Sequence, residues 1–126
     1  MSHRIGRYRD LLVWQRGIGL AENIYRVTRS YPREEQFGLT SQTRRAAVSI
    51  PANIAEGYGR GTRAAYLNFL RIARGSLLEL ETHLILAKRI SMADPAQVEA
   101  LLIETDEIGR MLHALIAKVN KAAPAI

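Results

Sequence analysis

Residues 39–63, LTSQTRRAAVSIPANIAEGYGRGTR, hold most of the chain's concentrated polar chemistry. On a helix, Gln42, Arg45, Ser49, Asn53 and Glu56 follow one another at steps of three or four and form one polar stripe. Leu39, Ala47, Ile50 and Ile54 form an apolar stripe beside it. Amide, guanidinium, hydroxyl and carboxylate groups supply both donors and acceptors. A stripe of them along a seam of alanines predicts side chains that pair within an interface. Asn53 and Glu56 are the pair that looks chemically deliberate, and with no nucleophile beside them they read as a structural hydrogen-bond network, pairing with backbone or an arginine near Pro51 or across a subunit boundary.

Arginine is the second concentrated chemistry. Arg44 and Arg45 are adjacent, and Arg60 and Arg63 flank the start of the next helix, where free N–H groups favour anions. Arg63, Arg71 and Arg74 fall within an arc of about 80° on that helix, with Leu67 and Leu78 between them. Lys88 extends this face and Glu81 interrupts it. Arg44, Arg45, Arg60, Arg63, Arg71 and Arg74 are therefore the candidate phosphate contacts, positioning nucleic acid without reading its sequence. The alternative is a solvated or subunit-pairing face. The glycines of GYGRG, residues 57–61, follow a helix rather than a strand and lack the P-loop lysine, so they do not read as a nucleotide loop.

Catalytic chemistry finds few candidates. The chain has no cysteine, which removes disulfides and thiolate nucleophiles. His3, His83 and His113 lie far apart, and no E-x-x-H pattern supports a di-iron site. Glu79 and Glu81 diverge on a helix. The expectation is a protein without catalytic residues, metal or cofactor.

Charge narrows the partner. The net charge is +6, and fifteen of the eighteen basic residues are arginine. Residues 1–93 carry fifteen bases against seven acids, while residues 94–126 carry three against five. A basic body with a mildly acidic last segment points to RNA or DNA, with solubility through internal ion pairs as the alternative. No apolar run reaches the length of a membrane span, and the basic start leads into a charged helix, so a cytoplasmic location is expected.

The elements that must position these groups are helices. The 126 residues suit one domain, with a basic arm at 1–9 and a frayed tail at 122–126. Asp10 is placed to cap the first helix, in which Leu11, Trp14, Ile18, Ala21 and Tyr25 form one apolar row. Val13, Leu20, Ile24, Val27 and Tyr31 form a second, more than one intramolecular face requires. Gly17 and Gly19 predict a close helix approach. Pro32 stops the first helix, and Phe37 packs the connection down. The second helix runs from about Leu39 to Gly57, interrupted at Pro51, where Ser49 can cap a restart. Thr62 caps a third helix over 63–91, with Tyr66, Leu70, Ala73, Leu77, Leu80, Leu84 and Ala87 in heptads. Asp94 and Pro95 start a fourth, whose seam is Val98, Leu101, Thr105, Ile108, Leu112, Leu115 and Val119. The fold class is all-α, an up-down-up-down antiparallel four-helix bundle.

The segments DLLVWQ, FGLTSQTRRAAVSIPANIAEG and YLNFLRIARGSLLELETHL resemble the four-helix-bundle proteins encoded in intervening sequences of 23S rRNA genes, also called the S23 ribosomal protein family. The likeness spans roughly Tyr8 to Leu84 and matches the family at Gln42, Arg45, Ser49, Asn53, Glu56, Gly57, Gly75 and Ser76. It implies a small bacterial cytosolic protein assembled as a homopentamer. It also implies similarity to the basic accessory protein of diversity-generating retroelements, a pentamer which works with nucleic acid and a reverse transcriptase. No catalytic role comes with these positions.

Overall fold

The computed structural model describes residues 6–121. Four helices follow one another: α1 (Leu12–Thr28), α2 (Leu39–Gly59), α3 (Arg63–Arg89) and α4 (Pro95–Lys121). Single 3-10 turns at Tyr8–Asp10 and Arg33–Glu35 precede α1 and α2. Among the described residues there is no strand, and each helix packs on its chain neighbours, with α4 closing on α1. This is the expected four-helix bundle. The first five residues of the basic arm and the whole 122–126 tail lie outside the described residues.

The apolar rows do the work the periodicity assigns them. Leu70, Ala73, Leu77, Leu80, Leu84 and Ala87 are all buried, facing Ile50 and Ile54 of α2 and Val98, Ile108 and Leu112 of α4 in one core. The row that runs from Val13 on α1 to Tyr31 just past its end faces the bundle, whereas Ile18 and Tyr25 of the other row stay 38% and 42% exposed. One α1 row thus builds the core and the other is left partly open. Polar pairs close the α1–α4 edge: Asn23 donates to Glu104 Oε2 at 2.9 Å, and Arg16 pairs with Glu107.

Several local expectations change. Asp10 sits in the 3-10 turn, and Leu11, in an extended conformation, is the residue before α1, with no side-chain cap. The helix ends at Thr28, ahead of Pro32. Phe37 is 90% exposed and does not pack down. The second helix is not interrupted: it continues through Pro51 to Gly59. Pro51 is buried against α1, where a Cβ at Gly17 would lie 3.3 Å from the proline Cβ. Gly17 therefore serves close approach as expected, while a Cβ at Gly19 would meet nothing within 4 Å.

The turn between α2 and α3 is shorter than expected, since α2 runs on to Gly59 rather than ending at Gly57, while Thr62 caps α3 as expected. Thr62 Oγ1 accepts the Ala65 N–H at 3.2 Å, and α2 approaches α3 at Gly57. A Cβ there would lie 2.6 Å from Phe69 Cβ, closer than carbon atoms tolerate. Gly57→Ala is expected to force the two helices apart and destabilise the fold by roughly 1–3 kcal/mol. Urea unfolding measures this, and an unchanged midpoint would mean that the helices part without strain.

Candidate nucleic-acid interface

The polar stripe of α2 lies over the seam with α3. Ser49 Oγ and Ser76 Oγ are 2.8 Å apart, and Asn53 Nδ2 donates to both Ser49 Oγ and the Ser49 carbonyl at 2.8 Å. The second bond puts a further donor on the Ser49 carbonyl, two residues before Pro51. Gln42, Arg45, Ala46 and Ser49 line a shallow cleft with Glu79 of α3. His83, one turn on, keeps its Nε2 3.8 Å from Glu79 Oε2 and lies in this seam, not in a ligand set.

The stripe divides in its roles. Ser49 and Asn53 form the hydrogen-bond network expected of an interface, here between two helices of one chain. Glu56 is not part of it. Its Oε2 accepts from Arg60 Nε at 2.8 Å, and both side chains are about half exposed. Such an i,i+4 surface pair contributes about 0.3–0.5 kcal/mol.

The six candidate arginines are spread over several sides of the bundle. Arg44 is committed to α1: its Nε donates to Thr28 Oγ1 at 2.8 Å, and its guanidinium carbon lies 4.6 Å from the Tyr25 ring centroid. Arg45 faces the α2–α3 cleft. Arg60 rests 5.0 Å from the Phe69 ring centroid while it holds Glu56. Arg63 reaches α4, donating to the Asn120 carbonyl at 3.4 Å. Arg74 lies in the α3–α4 cleft among Glu81, Asp106, Arg110 and His113. Arg71 is exposed on α3. Among the described residues, Arg45, Arg71 and Arg74 have no carboxylate within ion-pair distance.

Sequence reasoning did not pair Ser76 with Ser49, nor place Glu79 in one cleft with Arg45. The signal was present: in a helical hairpin, residues equally far from the turn face each other, and both pairs are nearly equidistant from residues 60–62. Thr105 was read as a seam residue, and its hydroxyl also donates to Glu81 Oε2 at 2.6 Å. That bond removes part of Glu81 from the arginine face.

Among the described residues, no group of three or more His, Asp or Glu side chains could hold a metal ion. No helix among them is long and apolar enough to cross a membrane.

The model of the 23S rRNA-intervening sequence protein family matches residues 9–114, from the turn before α1 well into α4. The chain belongs to that family. A crystal structure of a protein of unknown function from the S23 ribosomal protein family, from Bacteroides thetaiotaomicron VPI-5482, has a similar fold. The two share 28% sequence identity with a TM-score of 0.78, over 84% of this chain and 96% of that one. Comparison with curated proteins gave no match. The family match extends beyond the Tyr8–Leu84 region in which the resemblance was first legible and takes in most of α4.

Proposed function

We propose that this family member is a non-enzymatic, RNA-associated protein of the cytoplasm that holds nucleic acid by its phosphates and works as a homo-oligomer. The observation that carries the reading is the surplus of arginine without acidic partners. Arg45 and Arg71 are exposed and unmatched by carboxylates among the described residues, in a chain of net charge +6. The family's rRNA-linked name agrees with an RNA partner. Oligomerisation is supported by the second apolar row of α1, where Ile18 and Tyr25 remain open to a neighbour. A pentamer is the assembly the sequence resemblance implies, and service beside a reverse transcriptase is the special case implied by the retroelement resemblance.

The competing reading is a scaffold whose arginines pair subunits. What favours it is Arg44, whose guanidinium stacks on the same Tyr25 that closes the open α1 row. A salt titration separates the two. RNA binding should fall with a log–log slope of roughly −0.7 per phosphate neutralised on a single strand. It should also show little sequence preference. Absence of RNA binding at low salt by a protein of intact oligomer size would leave the scaffold.

A further inference from the structure

We propose that the cleft between the α2–α3 turn and the end of α4 receives an unpaired base of a single-stranded nucleic acid, with the adjoining phosphate held by Arg63 and Lys118. This rests on the nucleic-acid reading above and gives it a defined site. The cleft holds about 530 Å³, within the usual range for small-molecule sites. Tyr58 and Tyr66 form one wall, edge to face with ring centroids 5.7 Å apart. Leu115 and Val119 of α4 form the other. Burial, then the neighbouring Tyr58, pushes the Tyr66 hydroxyl pKa up, so the ring is neutral at any physiological pH.

Charge selects the occupant. Arg63 and Lys118 line the cleft, and among the described residues no carboxylate does. The other clefts differ: the α2–α3 cleft carries Glu79, the α3–α4 clefts carry Glu81 and Asp106, and the α1 cleft carries Glu22. Each of those sets at least one carboxylate beside its bases, whereas here, among the described residues, two bases stand without one. Apolar and aromatic walls under a cationic rim match a nucleotide, whose base presents a π face and whose linkage carries the charge. Aromatic stacking beside basic side chains is the general way single strands are bound without sequence preference. A duplex buries the base faces in its own stack and offers the cleft only phosphates. The walls come from three helices, and the turn that joins two of them passes through Gly61 at φ 84°, so the cleft is set by the bundle.

The experiment measures fluorescence anisotropy of a short labelled oligouridylate, an oligodeoxythymidylate and an RNA duplex of equal length. The proteins are the full chain and its Tyr66→Leu, Tyr66→Phe and Lys118→Glu variants. The expected result is tighter binding of the single strands than of the duplex. Tyr66→Leu should weaken single-strand binding on the order of tenfold. Duplex binding should be unchanged in that variant, and Tyr66→Phe should restore the single-strand affinity. Comparison of the two single strands tells RNA from DNA. Lys118→Glu, at an exposed position, carries the test if Tyr66→Leu melts early, and it should weaken single-strand binding while the oligomer stays intact. Wild-type single-strand affinity in both Tyr66→Leu and Lys118→Glu, with salt-dependent binding retained, overturns this site and leaves the phosphate reading standing. Dissociation of the oligomer by Lys118→Glu also overturns it, assigning the cleft to a second copy of the chain. Failure of every probe to bind at low salt overturns both.

Discussion

Leu80→Ala is expected to lower the unfolding free energy by about 2–5 kcal/mol, whereas Leu78→Ala, two residues away, should change it little. Leu80 is fully buried and Leu78 is 58% exposed. Alanine at position 80 removes transfer free energy and leaves a cavity in the core of the bundle. Domains of this size hold roughly 5–15 kcal/mol in all, so the Leu80 variant should melt well below the parent. Thermal and urea unfolding of both variants make the comparison. Equal losses would mean that Leu78 is covered in solution, which only a second copy or another partner could do, so the Leu78 variant also reports on assembly. If it shrinks the oligomer without lowering the monomer's stability, the α3 surface beside the α3–α4 cleft belongs to a subunit contact.

The same contrast explains what could be read from the sequence. Burial is repetitive, so it writes a period: the heptads of α3 and the seam of α4 predicted their buried faces almost residue by residue. Turns with a strong local cause were also legible, Thr62 and Asp94 among them, because the capping oxygen and the free N–H lie within a few residues. Asp10 failed for a related reason. Capping requires the chain to enter the helix at that residue, and here a 3-10 turn delivers Leu11 to the entry point. Pro51 carries a local penalty, but α1 packs its Gly17 backbone onto the ring, and the tertiary contact holds the helix continuous. Phe37 shows the converse, an apolar side chain in a connection that no neighbour covers.

Site residues were harder to read because partner choice is a tertiary property. The spacing of Arg44 and Arg45 places them on different sides of α2. It does not say that one will find Thr28 and Tyr25 while the other has no carboxylate in reach. Arg63 and Arg74 share a helix face as read, yet Arg74 lies among Glu81 and Asp106 while Arg63 turns toward the last residues of α4. The tyrosine-walled cleft went unread because Tyr66 looked like one more position of the α3 heptad, and its partner Tyr58, expected in the turn, lies in the last turn of α2.

Reversing Arg45 and Arg71 together, as Arg45→Glu with Arg71→Glu, should cost RNA affinity heavily. Both are exposed, and neither gives up an ion pair among the described residues, so the fold should be little disturbed. An exposed charge contact at about 4 Å is worth about 1 kcal/mol in water, and reversal converts that attraction into a comparable repulsion. Two such reversals therefore reach roughly 4 kcal/mol before screening, or two to three decades in affinity at low salt, shrinking as salt rises. Arg63 and Arg74 are poorer choices. Reversing Arg74 would set a third carboxylate beside Glu81 and Asp106, and reversing Arg63 would lose its bond to α4. Glu79 lines the cleft with Arg45, so the single Arg71→Glu variant serves as the clean control. The readouts are anisotropy of a labelled RNA across a salt series, sedimentation for oligomer size, and a thermal melt. Weakened binding with size and melting unchanged assigns these two arginines to the phosphates. A smaller oligomer assigns them to subunit pairing, and unchanged binding and size remove them from the interface altogether.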